Sequence, residues 1–353
     1  MRRQFFKHLH NRSHQRSSRK HSVMWVLMTS TVLLGGLPGS NLSSAIAQHS
    51  LPESLAQHTT ETELELPVLD IEEMSLDPIT LINRGAEPRR ILQMQPEVNS
   101  QQQSVTTMDM MGTMNLSGVS RPLPEVPTTQ MVIQTDVVNI DDDGNRYIEF
   151  EYTDVSIGNS TELPPEAVDA MRSQLSSLEG LAGSWVLNEQ GHLSQFTMEP
   201  PEGLPTIIGQ NLEQMMDSVQ QMSAPFPQDA IGIGAQWQMP YGLSMNGIEM
   251  TGTATYELVG VEGDRITLST SVTQQSSASN FTGLGLPENI EMTMQQMDAS
   301  GQGTIEIDLN EVMPIYSDMS LSSDSLFTIK HQDLEMPVSM NMLMNMSIIS
   351  DES

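Results

Sequence analysis

The chain contains no cysteine among its 353 residues. Disulfides, a lipid anchor attached through an N-terminal cysteine, and a thiol nucleophile are therefore excluded. Positive charge is scarce too: 15 Lys and Arg stand against 45 Asp and Glu, for a net charge of −30. Nucleic acid and anionic membrane surfaces demand a positive face, so neither is an expected partner. Enzyme signatures are missing as well. There is no Gly-x-Ser-x-Gly elbow and no His-Glu-x-x-His pair, so no nucleophile or zinc site of those kinds can be assembled. Carboxylates are so numerous that finding a pair of them says nothing about glycoside chemistry. The reading is a non-enzyme, with no catalytic residue, resident metal or cofactor.

The few cations are gathered at the start. Arg2, Arg3, Lys7, Arg12, Arg16, Arg19 and Lys20 precede an apolar run from Val23 to Leu37, and Ala45-Ile46-Ala47 follows as a small-x-small site. This order is that of a cleavable secretory signal over residues 1–47. The run falls short of the roughly 20 residues that span a bilayer, so no membrane helix is expected after cleavage. The leading reading of this start is an extended basic region on the general secretory route, and Arg2-Arg3-Gln4-Phe5-Phe6-Lys7, which resembles a twin-arginine signal, is the alternative. No acid occurs before Glu53, so cleavage leaves eight basic residues against 45 acids, about −37. The expected location is the periplasm or the extracellular space.

Residues 48–76 hold seven acids and no Lys or Arg, which reads as a disordered linker. A single β-rich domain is expected over 77–350. Gln101 to Leu116 reads as a long strand and Ser120 to Pro127 as a Pro-rich break. Met131 to Val155 is a hairpin about Asp141-Asp142-Asp143-Gly144-Asn145. His192 falls just after a second hairpin turn, where a solvated side chain is expected. Val168, Met171, Leu175 and Leu178 form one stripe of a helix over 164–178 opened by Pro164-Pro165, and a second helix is predicted over 206–222. The fold class expected is α+β: a large curved antiparallel sheet or half-barrel with two helices packed on one face. A membrane β-barrel is the lesser alternative, because the aromatic girdles it needs are absent.

Methionine is the compositional anomaly, with 28 in the chain and 25 beyond residue 47. From Leu334 to Ile348 an apolar residue stands at every even position, including Met336, Met340, Met342, Met344 and Met346. A period of two places them on one face of a strand. Unbranched thioethers fill irregular cores and also line promiscuous apolar surfaces. Met336, Met340, Met342, Met344 and Met346, with Met215, Met216 and Met222 of the second helix, are therefore the candidate lining of a site for an apolar small molecule or lipid. The alternatives are a structural or interaction module whose Met are only core, and a periplasmic protein holding Cu(I) on soft thioethers. Met108-x-Met110 and Met292-x-Met294 repeat the same spacing. Asn139, Asp141, Asp143 and Gly144 imitate the start of a Ca²⁺ loop, but Phe150 stands where the bidentate Glu belongs, so a hairpin turn is the reading.

Leu163-Pro164-Pro165-Glu166, Gly183-Ser184-Trp185 through Gly191, and Pro225-Phe226-Pro227 through Trp237 together resemble an uncharacterised family of exported bacterial β-rich proteins, over roughly Asp77 to Ile349. That family implies no activity, and no functional residue carries over. At the level of fold the pattern is also similar to periplasmic lipoprotein carriers and lipid-binding half-barrels.

Overall fold

The computed structural model describes residues 79–351, apart from 117, 161–162, 200–225, 246–247, 277, 281–289 and 332–333. The signal, the linker and the predicted helix over 206–222 lie outside the described residues. Fourteen strands form one antiparallel sheet. They are β1 (Thr80–Arg84), β2 (Gln101–Leu116), β3 (Val119–Pro122), β4 (Val126–Ile140), β5 (Arg146–Ile157), β6 (Ala182–Leu187), β7 (Leu193–Glu199), β8 (Ala235–Met245), β9 (Ile248–Glu262), β10 (Arg265–Ser276), β11 (Ser279–Asn280), β12 (Ile290–Asp308), β13 (Tyr316–His331) and β14 (Leu334–Ser350). The order across the sheet is β1-β8-β9-β10-β12-β13-β14-β2-β4-β5-β6-β7, with β11 beside β12 and β3 beside β2.

The expected α+β class is corrected: the fold is all-β, with one helix, α1 (Pro165–Ser176), among the described residues. The physical reason lies in the sheet itself. Arg90 is bridged to Ile231, next to β1 and β8, and only four residues later the Met94 N–H donates to Glu189 O in the β6–β7 turn, 2.7 Å. Four residues reach about 14 Å. In a flat sheet β8 and β6 would stand nine spacings, roughly 43 Å, apart. The sheet is therefore rolled, and residues 86–97 strap its two ends together at one rim. Arg90 also donates to Gly263 O at 2.6 Å, and Gln95 N–H to Leu309 O at 2.5 Å. A rolled sheet supplies both walls of its own core, so no helical layer is required. Trp185 and Trp237, near opposite ends of the strand order, belong to one continuous apolar cluster.

Alternation sorts the two faces. In β10, Ile266, Leu268, Thr270, Val272, Gln274 and Ser276 are buried, while Ser269, Ser271, Thr273 and Gln275 are exposed. β2 spans the residues predicted for it. The expected break at Ser120 to Pro127 is instead shared by β3 and the start of β4. Proline is tolerated there because β3 is a four-residue exposed ribbon. Helix α1 begins where Pro164-Pro165 predicts, and buries Val168, Met171 and Leu175. It is an excursion between β5 and β6 whose Val168 and Met171 pack in a small cluster with Leu163, Val126 and Ile157. His192 corrects a second expectation: it is buried, because the strap and Phe226, whose N–H donates to Gln190 O at 3.1 Å, lie over its turn.

The β4–β5 turn is held by Asp141. Its carboxylate accepts from Asp143 N–H (3.0 Å), Asn145 N–H (2.9 Å), Asn145 Nδ2 (2.9 Å) and Tyr147 Oη (3.3 Å). Burial by itself would raise its pKa. The bonds from Asn145, Asp143 and Tyr147 outweigh that and hold it below the ordinary value. A carboxyl with a depressed folded pKa adds stability above its unfolded pKa of about 3.9, and that stability is lost as pH falls through the folded value. Asp141→Ala is expected to cost about 1 kcal/mol at pH 7. Urea melts at pH 7 and pH 2.5 check this, since the difference between variant and parent should shrink at the lower pH.

Candidate functional site

Register across the sheet assembles a band that no single strand displays. On the concave face Tyr241 (β8) stands opposite Gly252 (β9), which is opposite Gln274 (β10), then Ala299 (β12). The row continues through Ser323 (β13) and Met342 (β14) to Gly112 (β2). On one side lies the row Gly301, Leu321, Met344, Met110, and on the other Met297, Ser325, Met340, Met114. Gly252, Ala299, Ser323 and Gly112 thus make most of the central row small, interrupted by Gln274 and Met342, while the flanking rows carry more bulk beside Gly301 and Ser325.

Exposure follows this pattern. Met342, Met340, Met297, Leu321, Ser323 and Ser325 are half-buried. Beyond them, Met319, Met346 and Met108 on one side and Met294, Phe327 and Val338 on the other are buried. The result is a shallow trough crossing the strands, whose floor row of Ala299, Ser323, Met342 and Gly112 is flanked by Met297, Met340 and Leu321. From Gln274 to Gly112 it crosses four strand spacings, about 19 Å. Its β8 end is closed by Tyr241, whose ring lies over Gly252: a Cβ there would sit 2.4 Å from Tyr241 Cζ. Gln274 is buried and donates to Met250 Sδ at 2.9 Å, with Tyr241 Oη 3.5 Å from its carbonyl oxygen. Burial pushes the Tyr241 and Tyr256 hydroxyls further above their ordinary, already alkaline value.

Of the predicted lining residues, Met336, Met340, Met342, Met344 and Met346 share the concave face of β14. Met340 edges the trough and Met342 stands in its floor row, Met344 and Met346 lie beneath its flank in the core, and Met336 is half-buried opposite Ile329. Met215, Met216 and Met222 lie outside the described residues. Strand pairing brings the spaced pair Met108-x-Met110 against β14 and adds Met114 and Met319, which spacing did not single out: Met340 faces Met114, Met344 faces Met110, and Met346 faces both Met108 and Met319. The small residues of the floor were missed entirely. Their signal was present as Ala299-x-Gly301-x-Gly303 and Ser323-x-Ser325, but it has meaning only once the strands are aligned. The Ca²⁺-like loop is engaged in its own turn, through the four bonds to Asp141. Among the described residues no group of three or more His, Asp or Glu is arranged to hold a metal ion.

The class defined by these features is a rolled all-β protein with an open apolar trough on its inner face. A family of unknown function (DUF6263) matches residues 209–314, about a third of the chain, in line with the likeness to an uncharacterised β-rich family read from the sequence. No curated protein matches. Similar solved structures include a loop-deletion mutant of OmpT, an outer membrane protein of Vibrio cholerae. It has 6% identity and a TM-score of 0.17, over 72% of this chain and 100% of that one. OccAB2 of Acinetobacter baumannii is similar at 6% identity and a TM-score of 0.16, over 72% of this chain and 99% of that one. Scores this low establish no common fold.

Proposed function

We propose that the protein is an exported, non-catalytic envelope protein that holds an acyl chain or similar apolar ligand in the Met-edged trough. The observation that carries this reading is the half-burial of Met340, Met342, Met297 and Leu321 beside Ala299, Ser323 and Gly112, between the buried rows Met319-Met346-Met108 and Met294-Phe327-Val338. Apolar surface left open in this way, edged by adaptable thioethers, suits a flexible hydrocarbon. The convex face favours water on that side, since its β10 positions are Ser, Thr and Gln; a membrane barrel requires the reverse sidedness. The basic start of the chain followed by an apolar run supports export to the periplasm or beyond.

A second reading rests on the paired thioethers of β2, β13 and β14, which are soft ligands for Cu(I). Native mass spectrometry of the protein purified from its own envelope separates the two. A co-purified lipid supports the acyl reading, and bound copper supports the metal reading. A bare mass, with no uptake of added fatty acid or Cu(I), would leave a structural module and overturn both. A paired substitution sharpens the test. Met342→Leu with Met344→Leu is expected to cost less than about 1.5 kcal/mol, because the volumes are nearly conserved. It should leave acyl binding within a few-fold and remove any binding of Cu(I).

A further inference from the structure

Eight Lys and Arg lie beyond residue 47, and the structure shows what most of them do. Arg84, Arg89, Arg90, Arg172 and Arg265 are ion-paired with Asp229, Glu87, Asp264, Asp169 and Asp308. Arg146 is buried at the strapped rim and donates to Gly144 O. Lys330 points outward and is engaged. Arg121 alone, among the described residues, has neither an ion pair nor a side-chain hydrogen bond. In so acidic a chain, a cation left without a carboxylate partner is an anomaly.

Its position gives the anomaly a meaning. Arg121 sits on β3 directly opposite Met114 of β2, and Met114 is opposite Met340 of β14. Residues directly opposite one another in an antiparallel pair point to the same side of the sheet. Arg121 therefore continues the row Met297, Ser325, Met340, Met114 at the end of the trough away from Tyr241, and it is exposed. One end of the trough is closed by Tyr241 over Gly252; at the other Leu123 packs over Gly112, where a Cβ would lie 3.0 Å from its Cδ1, and the one free guanidinium stands beside it.

We infer that the ligand is an acyl chain with a single anionic head, such as a fatty acid, its carboxylate held by the exposed Arg121 at the β3 end of the row and its tail lying over Met340 and Met342 toward Tyr241. The inference rests on the acyl reading above and deepens it. A guanidinium takes a carboxylate through two parallel N–H bonds. At an exposed site the gain is modest and falls with salt. A head of two or more negative charges is disfavoured by the acidic body around it.

The test compares sodium oleate with oleyl alcohol, which has the same chain and no charge, both below their aggregation concentrations. Affinity is read by displacement of a fluorescent apolar probe from the full mature protein. Arg121→Gln is expected to weaken oleate about fivefold and to leave oleyl alcohol within twofold; raising the salt to 0.5 M should reduce the effect of the substitution. Arg84→Gln, which breaks an ion pair at the other end of the sheet, should change neither ligand. If oleyl alcohol binds and Arg121→Gln leaves the oleate-to-alcohol ratio unchanged, the assignment of Arg121 is overturned while the trough stands. If neither ligand binds the parent protein, the trough reading falls as well.

Discussion

Aspartate in place of Met344 is expected to unfold the protein, whereas aspartate two residues earlier, at Met342, leaves it folded and empties the trough. Both residues lie on the concave face of β14, and their neighbours in sequence are alike. Their neighbours in space are not. Met344 is 6% exposed, between Met110 of β2 and Leu321 of β13. A carboxylate there loses its hydration and finds no donor, a cost of several kcal/mol whether it stays charged or takes up a proton. Met342 is half-buried between Gly112 and Ser323, where a carboxylate keeps water and meets a hydroxyl. It also places negative charge under the hydrocarbon of the ligand. The expected results are loss of the cooperative melt for Met344→Asp, and for Met342→Asp a melt within about 1 kcal/mol of the parent with acyl binding weakened at least 100-fold. Circular dichroism melts and probe displacement check the two arms. Equal stability of the two variants would mean that the trough is as buried as the core.

Trp185→Ala should be the most damaging truncation of a single core side chain, at about 3–5 kcal/mol. Trp185 is 1% exposed, and it stacks on Phe150 with centroids 4.9 Å apart and lies parallel to Phe196 at 6.4 Å. Phe150 in turn rests over Gly183 of β6, where a Cβ would come 2.6 Å from its ring. The indole is thus the centre of the packing that ties β5, β6 and β7 to one another, and little can collapse into its place. The corresponding fall in melting temperature is about 10 °C for a domain of this size. A loss below 1 kcal/mol in chemical denaturation would show that this end of the sheet contributes little to the folded state.

Much of the strand content was legible because it depends on neighbours in sequence. β2 runs over the predicted Gln101–Leu116, the Asp-rich turn joins β4 to β5, and the alternation of β14 places its Met on one face as a period of two requires. Pro164-Pro165 marked the start of α1. What failed depended on residues far apart. The α+β class rested on two helical stripes read alongside the strands, but a rolled sheet covers itself, and the strap that rolls it is an irregular segment with no periodic signal. His192 was read as solvated because its own turn is polar, while the residues that bury it come from the strap and from Phe226. Of the trough, the Met edge was visible in one strand. Its floor was not, because Gly112, Ala299 and Ser323 become neighbours only through the pairing of β12, β13, β14 and β2. Arg121 was likewise silent until β3 was placed against Met114.

The abundance of methionine that first set this chain apart also supplies the most direct test. With ¹³C at the methionine methyl groups, titration with oleate reports each thioether separately. The trough reading predicts that the methyl signals of Met297, Met340 and Met342 shift in a saturable manner. Those of Met131, buried on β4 between β2 and β5, and of Met171, on the buried face of helix α1, should stay in place. Saturable binding that leaves Met340 and Met342 unmoved, or a complete absence of shifts at any methionine, would contradict it.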